Sequence, residues 1–525
     1  MRIFAWILLV FTVLALVAEF AGLHLPSVSW AFNSSYDIAS LHFRNEDGDV
    51  VAWFGYLVSA LSLVISGVIL KWVPAGRRMT PTNKRRLERF FSIPRGSISL
   101  GIIGVLVLLA GLDQALVGKK ALYLNYGDEV YFPAFERKIV TGEDLGLKGD
   151  AAKAEVNYRE LAELIDEEGG GSILMPLIPY DPTLDTVAPL FKALEEKQAV
   201  LLDEHGDPMQ GQVSTLYDED TSKRHMIYEY RAGVKNGRAV GRMPSGEPVY
   251  EAQYREGKLV DGSESYTGEG SMEEFLAAGD GVLGRVFFHA APPNWQAGHY
   301  FGTTPQGNDL VAYLYGGLQL NIRAVLIFIP IIYCIGISVG LVMGYFGGVF
   351  DIVVQRFIEI FSTIPFLFVV IIFGSVIPAE NRGLGMILLI LILFGWMGMT
   401  YLMRTAALKE KARDYIAAAR VSGASTSRII FTHILPNTVA ILVTLVPFSV
   451  SSVILSLSSL DYLGFGLPPQ FATWGNLLNA GLSNLSKPWL ASSAFLALVS
   501  TLILVTFVGE AVREAFDPKK FTTYK

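Results

Sequence analysis

The chain has 525 residues, 51% of them hydrophobic, with a mean hydropathy of +0.41 and a formal net charge of −7. That composition excludes an ordinary soluble protein and points to several membrane-crossing helices, because backbone amides in lipid must find partners within their own segment. The single cysteine, Cys334, excludes an intramolecular disulfide and a thiolate metal cluster.

In chain order, apolar runs predict helices at 4–23 and 51–70. The first follows Met1-Arg2 as a signal peptide would, but Leu16 and Glu19 stand where a cleavage site needs small residues, so a retained helix is expected. After Lys71 come Arg77, Arg78, Lys84, Arg85, Arg86, Arg89 and Arg95 against one acid, Glu88. The positive-inside bias makes this loop cytoplasmic, which accounts for its charge without nucleic acid. A third span is expected at 97–117, with Asp113 at its outer, interfacial end.

From 118 to 315 the chain is polar, with 33 acidic and 18 basic residues, strand-like runs and many glycine turns. This predicts a β-rich extracytoplasmic inserted domain. Within it, Tyr230-Arg-Ala-Gly-Val-Lys-Asn-Gly237 and Tyr254-Arg-Glu-Gly-Lys-Leu-Val-Asp-Gly262 look like two copies of one hairpin and resemble the MORN-type Tyr/Gly repeats, over about 210–265. Its histidines, His205, His225, His289 and His299, have no metal-ligand spacing, and no nucleophile motif accompanies them. The insertion therefore reads as a binding or docking module or a structural cap, not an enzyme.

Five more spans are expected near 320–343, 352–376, 384–404, 437–459 and 489–510, making an all-α polytopic membrane protein of about eight transmembrane helices. From a cytoplasmic N-terminus, both the 405–436 loop and the C-terminus are cytoplasmic, and Arg404, Lys409, Lys411, Arg413, Arg420 and Arg428 agree with that side. The expected organisation is an extra N-terminal hairpin (1–75), a basic segment with the first core helix (76–117), the insertion (118–315), a core (316–519) and a tail (520–525). Gly336, Gly340 and Gly344 fall on one helix face, where another helix can approach closely and slide. Arg356 and Glu359, one turn apart, are expected to neutralise each other. Mid-span ionisable residues and paired broken helices, the marks of a secondary transporter, are scarce. Neither Gly118-Lys119 nor Gly257-Lys258 has the upstream glycine and following hydroxyl of a phosphate loop, so the chain is not expected to bind ATP itself.

The segment from Asp414 to Asn437 carries the functional reading. Ala417, Ala418 and Ala419 present a smooth helix surface, Gly423 permits a sharp turn, and Leu435-Pro436 marks entry to the next span. With Asp414 and Arg420 beside them, these residues resemble the EAA coupling loop (408–436) of binding-protein-dependent ATP-binding-cassette permeases, although Ala417 replaces that pattern's glutamate and His433 an isoleucine. Further segments resemble the dipeptide, oligopeptide and nickel subfamily in the same order. They are His299 to Asp309 with Gly302 and Gly307, the turn Gly344 to Asp351, Ser362 to Phe366 with Pro365, Asp461 to Pro469 with Gly464 and Gly466, Trp474-Gly475-Asn476, and Gly509 to Pro518 with Glu510, Arg513 and Asp517. Thr304 and Asn308 replace an acidic and a basic residue of that pattern. Tyr123 to Phe135 is similar to the branch importing peptide-nucleotide antibiotics of the microcin C type. The resemblance implies a type I importer fold in the inner membrane and import of peptides or peptide-like solutes, with nickel or another small solute, or a membrane-anchored periplasmic scaffold, as alternatives. It implies as partners a second homologous permease, two ATPase subunits that bind the ATP, a periplasmic substrate-binding protein and the lipid bilayer, with no cofactor or metal in this chain.

Overall fold

The computed structural model describes residues 2–32, 53–72, 81–126, 129–145, 155–168, 171–184, 190–194, 196–197, 200–202, 208–217, 220–244, 247–268, 270–279, 281–287, 290–295, 298–377 and 382–517. Expectations for Pro518, His205, His289 and the 520–525 tail fall outside these residues. The chain divides into two compact units, Met1–Gly118 with Ala312–Lys525, and Lys119–Val311.

The helices are α1 (Arg2–Phe20), α2 (Trp53–Trp72), α3 (Pro81–Phe91), α4 (Pro94–Gly111), α5 (Tyr158–Glu168), α6 (Met272–Ala277), α7 (Leu310–Phe346), α8 (Gly348–Ser362), α9 (Phe366–Val376), α10 (Leu384–Lys411), α11 (Asp414–Val421), α12 (Thr426–Arg428), α13 (Leu435–Tyr462), α14 (Trp474–Ser483) and α15 (Pro488–Phe516). Among the described residues, α4, α7, α10, the run from α12 through α13, and α15 are long and apolar enough to cross a membrane. Helices α8 and α9 qualify together but bend by 68°. Phe4–Phe20 and Gly55–Lys71 are shorter apolar helices.

The expected single span at 352–376 is therefore two helices. Pro365, at the N-cap of α9, disfavours helical backbone at Ile364, so α8 stops at Ser362 and the chain restarts in a new direction. Pro436 behaves in the opposite way: it lies within a continuous helix rather than at its entrance. Residues Ile429–Ile434 form a π-helical turn, with the Leu435 amide donating to the Ile430 carbonyl, and this widened turn accommodates a residue that has no amide to give.

Close packing joins α7 to α10. A Cβ on Gly336 would lie 2.6 Å from the Met399 Cβ, one on Gly340 2.6 Å from the Thr400 carbonyl, and one on Gly344 2.6 Å from the Ala407 Cβ. Helices α4 and α15 meet equally closely at Gly96 and Ala511.

Asp113 is buried, not interfacial. The chain leaves α4 at Gly111 and turns through Asp113 at φ 49°, bringing the carboxylate within 3.2 Å of His24 Nε2, 2.9 Å of Gln319 Nε2 and 3.8 Å of Arg323. The Arg323 guanidinium also lies 4.7 Å from the Trp30 ring centroid. The connection after α1 is thus tied to α4 and α7 by a polar cluster.

The second unit contains β1 (Tyr123–Tyr126), β2 (Glu129–Tyr131), β3 (Gly171–Leu174), β4 (Leu190–Ala193), β5 (Glu196–Lys197), β6 (Val200–Leu201), β7 (Gly211–Tyr217), β8 (Asp220–Arg231), β9 (Val234–Arg242), β10 (Pro248–Arg255), β11 (Lys258–Leu259), β12 (Ser265–Tyr266) and β13 (Gly284–Phe287). An eight-stranded sheet runs β11-β10-β9-β8-β7-β13-β4, with β12 on β10, beside a three-stranded sheet β2-β1-β3. The two Tyr-Arg-x-Gly copies make equivalent two-residue turns, Ala232-Gly233 and Glu256-Gly257, all four residues having positive φ as a type I′ hairpin requires. Lys235 Nζ lies 3.8 Å from the Tyr228 ring centroid and 5.3 Å from that of Tyr254, one aromatic near each copy. His225 is a core residue, its Nε2 2.7 Å from the Phe275 carbonyl.

Gly340→Ala should lower the stability of the full chain by about 1–3 kcal/mol through overpacking against α10. Gly101→Ala, where a Cβ meets open space, should cost nothing. Unfolding temperatures in detergent micelles check both, and equal values would refute the tight α7–α10 seam.

Candidate functional site

The segment after α10 is a helical turn closed by its own backbone. Helix α11 ends with the Ala424 amide donating to the Ala419 carbonyl and the Gly423 amide to the Arg420 carbonyl, with Gly423 at φ 76°. This is a Schellman closure, which needs left-handed backbone at Gly423. The chain then re-enters helix at once, where Ser425 Oγ accepts from the Arg428 amide. Only the first of the two expected short helices stands alone, since the second is the leading end of the α12–α13 helix.

One side of this turn is fixed and the other is bare. Ile416 is fully buried and shares one apolar cluster with Met403, Ala407, Ile429, Ile430 and Ile434. Tyr415 donates its hydroxyl proton to Glu410 and accepts from Asn437 Nδ2 at 3.1 Å, closing the base of the hairpin. Burial and the Glu410 hydrogen bond push the Tyr415 phenol up, keeping that proton in place. Lys411 and Arg420 lie 5.7 and 6.0 Å from the Tyr345 ring centroid, linking the hairpin to α7. Arg420 is itself exposed, and on the other side Asp414, Ala417, Ala418 and Gly423 are exposed, as are Val421 at 91% and Phe431 at 65%. Ala419 and Leu435 are half-buried, and Pro436 is exposed.

Asp351, on α8, receives both Nε and Nη2 of Arg404 on α10, at 2.5 and 2.6 Å. This bidentate pair lies beside the Gly344 contact, where the Arg404 carbonyl would meet a Cβ at 2.6 Å. The close helix seam, the ion pair and the hairpin thus form one continuous region. The Arg404 partnership was not foreseen from sequence, where that residue counted only as loop charge. Its position at the end of an otherwise uncharged run was the available signal. Arg356 and Glu359 pair at 2.6 Å, as their spacing predicts.

The other motif residues serve as local fasteners. Asp461 Oδ1 accepts from the Leu467 amide at 2.8 Å, packed so tightly that Gly466 has no room for a side chain, while Gly464 turns the chain at φ 80°. Trp474 Nε1 donates to the Leu314 carbonyl at 2.9 Å, Gly475 packs on the Ser458 carbonyl, and Asn476 Nδ2 donates to the Leu467 carbonyl at 3.1 Å. These contacts launch α14, a helix absent from the sequence reading. Glu510 and Glu514 grip Arg95 at 3.2 and 3.3 Å, Arg513 is exposed, and Asp517 caps α15. In the second unit, Gly302 and Gly307 turn at positive φ and buried Asp309 receives His299 Nδ1 at 2.8 Å. Thr304 and Asn308, in place of an acid and a base, are still joined, the Asn308 amide donating to Thr304 Oγ1 at 3.1 Å.

Residues 336–522 match the family described as binding-protein-dependent transport system inner membrane component. The chain is similar to the peptidoglycan transport system permease protein YejE of Agrobacterium fabrum, 38% identical over 222 residues, covering 42% of this chain and 58% of that protein. It is also similar to the inner membrane ABC transporter permease protein YejE of Escherichia coli, 40% identical over 230 residues, covering 44% of this chain and 66% of that protein. With the oligopeptide transport system permease protein OppC of Escherichia coli it is 32% identical over 246 residues, covering 44% of this chain and 76% of that protein. The chain therefore spans less than two thirds of either YejE protein.

Removing one member of the Asp351–Arg404 pair should be costly, because it strands a charge. Asp351→Leu is expected to destabilise by about 3–5 kcal/mol, and adding Arg404→Met should restore most of that loss. A double-mutant cycle read by unfolding in micelles checks this, and additive losses would show that the pair does not act as a unit.

Proposed function

Because the chain belongs to the binding-protein-dependent transport system inner membrane component family, we propose that it is the permease subunit of an ATP-driven importer, carrying peptides or peptide-like solutes inward. The observation that carries this reading is the hairpin at 414–437, locked to the bundle through Ile416 on one side and exposed through Ala417, Ala418, Val421 and Phe431 on the other. Such a handle has purpose only if another protein grips it, and the grip is transmitted because the hairpin cannot swing independently.

In this reading two separate ATPase subunits bind the ATP and seat on residues 408–436 at the cytoplasmic face. Their closure pulls the hairpin, and the force enters α10 and the α12–α13 helix directly. The α7–α10 seam at Gly336, Gly340 and Gly344 serves as the rigid strut, and the α8–α9 bend at Pro365 as the place where the bundle yields. Solute crosses against a second, homologous permease after delivery by a periplasmic binding protein, with 118–315 on the periplasmic side and eight spans if the two N-terminal helices cross. Peptide-containing cargo is supported by relatives named for peptidoglycan and oligopeptide transport. The microcin C branch rests on Tyr123 to Phe135, whose described residues, 123–126 and 129–135, include the antiparallel β1–β2 pair.

Two variants test the docking face. Gly423→Pro forbids the positive φ and the Schellman closure, whereas Val421→Asp alters only an exposed position. With the full transporter in proteoliposomes, both should lower ATP-driven uptake of a labelled peptide about tenfold or more. Val421→Asp should do so with an unchanged unfolding temperature and weaker co-purification of the ATPases. Wild-type uptake and ATPase recovery in both variants would refute the assignment.

A further inference from the structure

Where α3 turns into α4, the bundle carries two adjoining clefts, the second of which reaches Leu435 and Pro436 at the end of the proposed docking segment. One, of about 720 Å³, is walled by Arg86, Arg95, Glu510, Arg513, Glu514 and Asp517 among others. The second, of about 740 Å³, is largely aliphatic, with Leu87, Leu100, Val439, Val443 and Val512 in its lining. Arg86, Ala440 and Phe516 line both, so the two form a single slot, ionic at one end and apolar along the rest.

The charges at the ionic end are unevenly committed. Arg95 is held by Glu510 and Glu514, and Asp517 also has a partner. Among the described residues no carboxylate pairs with Arg86 or Arg513. The Arg86 guanidinium instead lies 4.8 Å from the Phe516 ring centroid and donates through Nη1 to Asn83 Oδ1 at 3.5 Å, while its buried Nε has no hydrogen-bond partner among the described residues. Helix α3 carries Lys84, Arg85 and Arg86 immediately ahead of Leu87, Phe90 and Phe91, the amphipathic pattern of a helix at the boundary between lipid headgroups and acyl chains.

We propose that this slot binds an anionic phospholipid, with its phosphodiester between Arg86 and Arg513 and an acyl chain over Leu87, Leu100 and Val443. A guanidinium offers a fork of donors that fits two phosphate oxygens, and with Glu510 and Glu514 taken up by Arg95, two forks that no carboxylate among the described residues pairs with favour an anion. A zwitterionic headgroup would bring an ammonium to carboxylates already engaged. Free phosphate would satisfy the arginines but leave the aliphatic half of the slot to water, which the apolar lining disfavours.

The full chain, purified in detergent, is titrated separately with phosphatidylglycerol, phosphatidylcholine and inorganic phosphate, with bound lipid read by native mass spectrometry and stability by thermal unfolding. Phosphatidylglycerol should be retained and should raise the unfolding temperature, with neither of the other two doing so. The double variant Arg86→Gln/Arg513→Gln should lose retention at least fivefold. Arg86→Lys alone should keep a measurable part of it, and Val443→Trp, which fills the apolar half, should lose it with both arginines intact. Equal retention of phosphatidylcholine, equal stabilisation by inorganic phosphate, or wild-type retention in the double variant would each overturn the proposal. So would protection of the slot by a second permease in place of lipid.

Discussion

The burial of Ile416 in the same apolar cluster as Ile429, Ile430 and Ile434 is the contact on which the rest depends. An eight-residue helix beyond the end of a membrane span has little stability alone, since nucleating a helix costs several fixed residues before any propagation gain. Here tertiary anchoring and a backbone closure at Gly423 replace length as the source of order. The hairpin becomes an extension of α10 on one side and of the α12–α13 helix on the other, and a displacement of its exposed face is a displacement of both.

That arrangement explains why two unusual features sit nearby. At Gly336, Gly340 and Gly344 helix α7 meets Cβ and main-chain atoms of α10 directly, so the two helices touch at a distance that any side chain there would prevent. The bidentate Arg404–Asp351 pair, half-buried at Arg404, adds a bond with one geometry, which is worth more for fixing register than for net stability. In the proposed cycle the place left to yield is the α8–α9 bend, where Pro365 has already interrupted the helix.

Much of this was legible in the residues. The spacing of Ala419, Gly423, Leu435 and Pro436 located the hairpin, because its closure is local chemistry: a left-handed position demands glycine. The glycine stripe was equally visible, since its period belongs to one helix. What failed to show was anything whose cause lies far along the chain. Arg404 and Asp351 are 53 positions apart, and nothing local distinguishes their pairing from loop charge. Asp113 was misread for the same reason, since its partners His24, Gln319 and Arg323 come from two distant segments. Pro436 misled by a different route. Proline is a reliable helix-start signal only when no π turn precedes it to absorb the missing amide, and hydropathy contains no trace of such a turn.

The Asp113 cluster also bears on how the segments outside the matched family region relate to the bundle. Helices α1 and α2 pack on each other and would be a free hairpin beside the core if only apolar contact held them. Apolar contact in lipid confers little preference for one neighbour over another, because acyl chains are as apolar as leucine. A carboxylate bound by a histidine, an amide and a guanidinium is different, since any displacement leaves buried polar groups unpaired. His24 and Trp30 therefore make the N-terminal addition specific to this bundle in a way its apolar helices alone cannot. The residues that distinguish this chain from a minimal permease core are thus secured by polar chemistry at one cluster, while the core itself is secured by close packing along its length.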